Sequence, residues 1–205
     1  MIVLYHHPLS LYCVKVRLFL EEAGCAYESR FVDLGKGDQR LPEFLQKNPF
    51  GKVPMIEVDG FAVCESSAIL RYLAVKFGPT DLWPHSLEDR AVVDQWVEIF
   101  GTTVCEPLSD LIWYKAWAPK YNAPVDATAV AKAETALTKI LPVCESQLMG
   151  RNYFVGSGPT LADLVLLPFA ANAWRAEIDF AQYPRLKSWL MRMSERPAWK
   201  LLAAA

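Results

Sequence analysis

The feature that most constrains this chain is a change of pattern near residue 80. Before it, short β-rich runs alternate with helical ones. Ile2-Val3-Leu4-Tyr5 reads as a strand broken by His6, His7 and Pro8. A helical pattern through Val14, Val16, Leu18, Phe19 and Leu20 follows and stops at Gly24, a C′ glycine. Tyr27 to Val32 reads as a second strand, and strand–helix–strand with short joints implies a parallel pair. Gly35 to Asp38 is a turn, Pro42 to Gln46 a short helix, and Asn48-Pro49-Phe50-Gly51 a loop. Met55 to Val58 and Phe61 to Cys64 are strands joined by Asp59-Gly60, which favours a type I′ hairpin because both loop residues need φ > 0. A helix with Ser66 and Ser67 available as caps runs on from Ala68. The order is βαβαββα.

After Gly78 the strands stop. Helical stretches are expected at Leu87 to about Tyr114, Asp126 to Met149, Leu161 to Trp174, Pro184 to Ser194 and Pro197 to Ala203. The pattern predicts an α/β domain at 1–78, a connection at 79–86 and an all-helical domain at 87–205. The 205 residues permit two small domains, and a 53% hydrophobic composition supplies their cores.

Composition also excludes functions. Twenty-one basic residues against 23 acidic ones give a net charge of −2. That offers no basic face for nucleic acid and no electrostatic anchor for a membrane. No apolar run reaches spanning length. Met1 leads straight into a strand, so no signal peptide is expected. The five cysteines form no Cys-x-x-Cys pair and are odd in number, so a reducing, cytoplasmic setting is expected.

Three constellations can carry chemistry. Pro8-Leu9-Ser10 opens the first helix, where unpaired N–H groups and the macrodipole favour an anion. The Ser10 hydroxyl can stabilise a thiolate there, or simply cap the helix, as serine does at many helix starts. Val53-Pro54 precedes a strand. A cis bond would leave the Val53 backbone free to pair with an extended peptide, whereas a trans proline would merely start the strand. Glu65-Ser66 meets a helix start, where a carboxylate and the helix N-terminus together can hold an amino-acid zwitterion. The plain alternative is an acidic residue beside a serine cap.

The ordered set is more specific than its parts, and with it the chain resembles the cytosolic glutathione transferases. Pro8-Leu9-Ser10 resembles the serine-dependent classes, especially phi. Asn48-Pro49-Phe50-Gly51-Lys52-Val53-Pro54 is similar to the phi-type loop, and Glu65-Ser66-Ser67-Ala68-Ile69 to the family's Glu-Ser signature. Gly158-Pro159-Thr160-Leu161-Ala162-Asp163 resembles the family's N-capping box, in which Thr160 and Asp163 cap a buried helix reciprocally.

The resemblance implies a thioredoxin-like domain followed by a helical bundle, in a cytoplasmic detoxification enzyme. The co-substrate it implies is glutathione, with no metal. Glu65 and Ser66 would hold the γ-glutamyl end, and Val53 would pair with the cysteinyl backbone beside a cis Pro54. Gln39, Arg40 and Lys52 lie where the family contacts the glycyl carboxylate. Ser10 would hydrogen-bond the thiolate that attacks a hydrophobic electrophile. Tyr5, near the position of the catalytic tyrosine in other classes, is read as packing. Cys13 is read as a buried, inert thiol, and His6 and His7 as loop residues. Leu9, Leu11 and Tyr12 would face Trp113, Tyr114 and Trp117 across an apolar cleft, unless Trp113 and Trp117 are core. Phe50 stands in the family's position for an aromatic dimer contact, which implies a homodimer. The alternatives on the same scaffold are a glutathione-dependent peroxidase or isomerase, and a non-catalytic ligand-binding or regulatory relative.

Overall fold

The computed structural model describes residues 1–77 and 81–203. Four strands, β1 (Ile2–His6), β2 (Tyr27–Phe31), β3 (Met55–Val58) and β4 (Phe61–Cys64), form one sheet in the order β2-β1-β3-β4. β1 runs parallel to β2, pairing Ile2 with Tyr27, and antiparallel to β3, pairing Ile2 with Val58. The parallel pair is the one predicted from the strand–helix–strand order. β1 is buried along its whole length, as a central strand must be.

The hairpin between β3 and β4 has Asp59 at φ 52° and Gly60 at φ 85°, the signs that a type I′ turn requires. Strand β1 runs one residue further than the sequence pattern suggested. His6 is its last residue, buried, and bonded through Nε2 to the Ser29 hydroxyl at 2.6 Å. The loop reading of His6 is therefore corrected: parallel pairing with Phe31 carries the strand through it.

Helix α1 (Leu11–Glu22) joins β1 to β2, and a 3-10 turn (Asp38–Arg40) leads into the short α2 (Pro42–Leu45). Helix α3 (Ser66–Phe77) follows β4 directly. The period-2 alternation of β1 divides its neighbours. Ile2 and Leu4 join Val16, Leu20, Ile69 and Leu73 beneath α1 and α3. Val3 and Tyr5 pack with Phe44 and Met55 on the opposite face.

The helical half contains α4 (Leu87–Glu98), α5 (Cys105–Ile112), α6 (Ala127–Gln147), α7 (Leu161–Asn172), α8 (Pro184–Ser194) and α9 (Pro197–Ala203). The long stretch expected from Leu87 to Tyr114 is interrupted by π-helical segments at Ile99–Val104 and Trp113–Trp117. Helix α7 is buried at every position from Leu161 to Ala170 and, Asp163 apart, is apolar all round over that stretch. It packs against α1 and α4, which ties the two halves into one continuous core running from Ile2 to Ala198.

Of the expected connection at 79–86, residues 79 and 80 lie outside the described residues, as does Gly78. The rest is docked at its centre, with Asp81, His85 and Ser86 exposed on either side. Leu82 and Trp83 are buried, and the Leu82 carbonyl accepts the Leu161 N–H at 3.0 Å. Among the described residues no helix is long and apolar enough to cross a membrane.

The start of α7 is fixed by the reciprocal cap read from Thr160 and Asp163. Asp163 is fully buried and accepts four hydrogen bonds. Oδ1 takes the Trp189 indole N–H at 2.8 Å and the Phe154 N–H at 3.2 Å. Oδ2 takes the Thr160 N–H at 2.9 Å and its hydroxyl at 3.3 Å. A buried carboxylate is tolerable when its lone pairs are matched by donors in this way.

Candidate active site

Two cavities meet at the first turn of α1, and Tyr12 lines both. One is polar, about 470 Å³, and lies between the 48–54 loop, the start of α3 and the first turns of α1. The other is largely apolar, about 540 Å³, and lies between α1 and the α5 end of the helical half.

The polar cavity brings together Lys52, Val53, Pro54, Glu65 and Ser66. The Val53–Pro54 bond is cis. The β3 ladder begins at Met55, so the Val53 backbone lies beyond its end and is available to an extended partner. Asn48, fully buried, shapes this loop: its Nδ2 donates to the Lys52 carbonyl at 2.7 Å and its Oδ1 accepts the Phe50 N–H at 3.2 Å. Gly51 lets the loop close. At φ 59°, a Cβ there would stand 2.9 Å from the Gln39 carbonyl oxygen, closer than a side chain tolerates.

Glu65 holds a left-handed φ of 65° at the junction of β4 and α3. A non-glycine residue in this region is uncommon and clusters at ligand-binding sites. The next residue, Ser66, opens α3 and is buried. The orphan N–H groups of the α3 start therefore lie beside a carboxylate at the cavity wall.

Gln39 and Arg40 are not brought into this cavity. Gln39 is half-buried beside the loop, its Nε2 3.5 Å from the Leu34 carbonyl, and Arg40 is exposed. The family resemblance placed them at the glycyl carboxylate; the 3-10 turn that carries them presents backbone to Gly51 instead of side chains to the cavity.

The apolar cavity is lined by Leu9, Ser10, Leu11 and Tyr12 on one side and by Trp113 and Trp117 on the other. The expected Tyr114 does not line it: Trp113 and Trp117, four residues apart, share the face turned to the cavity, and Tyr114 stands off that face. Ile112 and Tyr121 join instead, with the Tyr121 ring stacked on Trp113 at 6.3 Å between centroids. No local pattern around Tyr121 announced this, since it closes a short proline-bearing 3-10 turn, Pro119–Tyr121.

Ser10 is the N-cap of α1, with extended backbone and a hydroxyl that accepts the Cys13 N–H at 3.4 Å. It caps α1 and also lines the apolar cavity. The Cys13 thiol is fully buried, and burial pushes its pKa up to about 11, with the Ser10 hydroxyl and the His7 carbonyl offsetting only part. A neutral thiol is a poor acceptor and leaves the serine proton to a better one.

His7 lines the cavity too, and burial lowers its pKa. Its Nδ1 accepts the Leu9 N–H at 3.2 Å, which puts the proton of the neutral ring on Nε2. Tyr5 points away to the opposite face of the sheet. Its hydroxyl donates to Glu57 at 2.5 Å and accepts from Arg30 at 2.8 Å and Lys47 at 3.0 Å.

Sequence reasoning missed Lys15. It is buried at 1% exposure, lines the polar cavity, and has its Nζ 3.5 Å from the Ser67 hydroxyl. The signal was present: Lys15 stands between Val14 and Val16, four residues after Leu11 and three before Leu18, on the buried stripe of α1.

Comparison with known proteins agrees with this geometry. The family model "Glutathione S-transferase, N-terminal domain" matches residues 1–75, and "Glutathione S-transferase, C-terminal domain" matches residues 108–197. The chain is 34% identical over 211 residues to glutathione S-transferase F10 of Arabidopsis thaliana, covering 100% of this chain and 97% of that one. It superposes on the crystal structure of glutathione transferase F2 from Populus trichocarpa with a TM-score of 0.92 at 29% identity, covering 100% and 98% of the two chains. A glutathione S-transferase I structure bound with lactoylglutathione aligns at a TM-score of 0.89 and 30% identity over 99% and 98%.

Proposed function

Since this chain belongs to the glutathione S-transferase family and is most similar to its phi class, we propose that it joins the thiol of glutathione to hydrophobic electrophiles, with Ser10 as the group that stabilises the thiolate. The observation that carries this reading is the meeting of the two cavities at the first turn of α1, where Ser10 stands. A polar pocket suited to a peptide and an apolar pocket suited to an aromatic electrophile share Tyr12.

Glutathione is a γ-linked tripeptide with a zwitterionic end, a thiol and a second carboxylate. Glu65 takes the γ-glutamyl ammonium, and Ser66 with the α3 N-terminus takes the adjacent carboxylate. Val53 pairs with the cysteinyl backbone beside cis Pro54. Lys52, exposed at the cavity wall, takes the glycyl carboxylate, and Gln39 and Arg40 on the neighbouring turn are the other candidates for it.

The reaction needs little from the protein beyond placement and one hydrogen bond. The thiol loses its proton to solvent, and the Ser10 O–H donates to the resulting thiolate. The sulfur lone pair then forms a carbon–sulfur bond to the electrophile as the leaving group departs with its electron pair. Leu9, Leu11, Tyr12, Trp113 and Trp117 exclude water from that step and bind the apolar portion of the electrophile.

We place the thioredoxin-like unit at 1–78, the connection at 79–86 and the helical unit at 87–205. We also assign the protein to the cytoplasm as a homodimer. Phe50, 79% exposed on the loop that shapes the polar cavity, supports the dimer by offering a large apolar side chain to a partner.

The test is conjugation of glutathione to a chlorinated nitroaromatic by wild type and Ser10→Ala. Turnover by wild type with retained glutathione binding but little turnover in the variant is the expected result. Equal turnover by both would transfer the thiolate-stabilising role to backbone groups at the α1 start. Thiol binding with no turnover of any electrophile or hydroperoxide would favour a carrier.

A further inference from the structure

Lys15 is a buried cation that lacks an anion. Its ammonium lies inside the wall of the polar cavity, 5.3 Å from the centre of the Tyr12 ring and 3.5 Å from the Ser67 hydroxyl. The latter distance permits only a weak bond, and serine brings no charge. Among the described residues Lys15 pairs with no carboxylate. The other cations at this cavity differ. Arg71 is held by Asp94 and Glu98, and Lys52 stands in solvent.

An unpaired ammonium removed from water is strongly destabilising. A leucine or methionine on this stripe of α1 would avoid that cost. The carboxylate side chains that line the cavity do not relieve it: Glu98 is taken by Arg71, and Glu65 is exposed at the β4–α3 junction. Beside Lys15, the first turn of α3 presents the orphan N–H groups of Ser66 and Ser67 to the same space. A buried cation and a helix N-terminus thus converge on one cavity wall.

We propose that Lys15 supplies the counter-charge for the α-carboxylate of the γ-glutamyl residue, completing a zwitterion clamp whose other arm is Glu65. The proposal rests on the glutathione reading above. It makes Lys15 a specificity-determining residue: it rewards a ligand that carries an α-carboxylate and penalises one that lacks it. Burial lowers the Lys15 pKa to about 8, against the pull of nearby acidic groups, which is the mark of an ammonium still short of a partner.

The test uses S-methylglutathione and its counterpart built on 4-aminobutyrate, which lacks only the α-carboxylate, with affinities measured by calorimetry. Wild type is expected to prefer the carboxylate-bearing ligand by about ten- to a hundredfold, the size of a charge-assisted hydrogen bond. Lys15→Met is expected to cut that preference by about tenfold. Its affinity for the decarboxylated ligand should stay near the wild-type value, which also reports that the variant is folded. An undiminished preference in Lys15→Met would overturn the inference and leave the glutathione reading intact. So would an equal loss of both ligands, the signature of a merely structural lysine. Wild type binding neither ligand would remove the glutathione reading and the inference with it.

Discussion

The backbone N–H of Cys13 is shared by two oxygens of Ser10, the carbonyl at 2.9 Å and the hydroxyl at 3.4 Å. This fixes the serine Oγ as an acceptor toward the helix and leaves its proton directed elsewhere. A donated hydrogen bond favours the thiolate over the thiol. Ser10→Ala should therefore raise the pKa of enzyme-bound glutathione and lower kcat at pH 7 by about a hundredfold, the typical loss of one donor to a developing anion. The pH–rate profile checks it: the ascending, acid-side limb, which reports ionisation of the bound thiol, should move to higher pH in the variant. A profile that keeps its midpoint while kcat falls would show that the hydroxyl only positions the ligand.

Cys13 itself should be a spectator. Its thiol is fully buried and held near pKa 11, so almost none of it is thiolate at neutral pH. Cys13→Ala should leave kcat within about twofold of wild type and lose about 1 kcal/mol of stability to the small cavity it opens. Alkylation of wild type at pH 7.5, read by mass spectrometry, should find Cys13 the slowest together with Cys105 and Cys144, which burial pushes up to about 12. Rapid labelling of Cys13 with loss of activity would return it to the list of reacting groups.

Electrophile affinity should separate from glutathione affinity at Trp113. This ring is 42% exposed, stacks on Tyr121 and lines only the apolar cavity. Trp113→Ala should raise KM for an aromatic electrophile by about tenfold, the value of one aromatic face in a half-exposed site, with KM for glutathione unchanged. Parallel rises in both constants would show that the two cavities are coupled through Tyr12.

The elements that could be read from the sequence are those with local causes. The Asp59-Gly60 hairpin, the Gly24 stop, the Ser10 cap and the Thr160–Asp163 box are each written within a few consecutive residues, and each forms as read. Helices α8 and α9 begin at their prolines, where the missing N–H is harmless. What escaped depends on packing or on distant partners. Trp113 and Trp117, four apart on one helical face, both line the apolar cavity, whereas Tyr114 does not, and which neighbours of that face reach the cavity depends on packing between the halves. The extension of β1 to His6 depends on Phe31, 25 residues later. Gln39 and Arg40 were placed by analogy with the family, and only the packing of their turn against Gly51 reveals where they stand. Lys15 was visible as a charge on an apolar stripe, but its meaning required Ser67, which is 52 residues away.

Removal of the Asp163 side chain should be among the most destabilising changes in the helical half. It would leave the Trp189 indole N–H, the Phe154 N–H and the Thr160 N–H without acceptors and break one arm of the α7 capping box. An unsatisfied buried donor costs about 1–3 kcal/mol, so Asp163→Ala should lose roughly 3–5 kcal/mol. Asp163→Asn keeps one acceptor for Trp189 and should lose less. Urea denaturation would measure both. A midpoint for Asp163→Ala close to wild type would mean that α7 is held by its apolar packing alone.

Lys15 predicts how stability of the ligand-free protein changes with pH. The groups acting on its ammonium come from several elements: Tyr12 on its own helix, Glu65 before α3, Arg71 within α3, Glu98 at the end of α4 and Cys105 at the start of α5. Burial is the largest influence and lowers the pKa from 10.5 to about 8. Between those values the unfolded chain holds a proton that the folded one has released, so stability must rise with pH across that window. Below pH 8 the cost of the buried charge is fully present. Lys15→Met should thus be more stable than wild type at pH 7 by on the order of 3 kcal/mol, the free energy of that pKa depression. The gap should shrink as pH climbs toward 10.5, where wild-type Lys15 is neutral in both states. Comparing the two proteins at each pH cancels the cysteines, whose raised pKa values act in the opposite direction, and urea midpoints at pH 7 and pH 10 suffice. A gap that stayed constant with pH would mean that the ammonium already has an adequate partner in the folded chain.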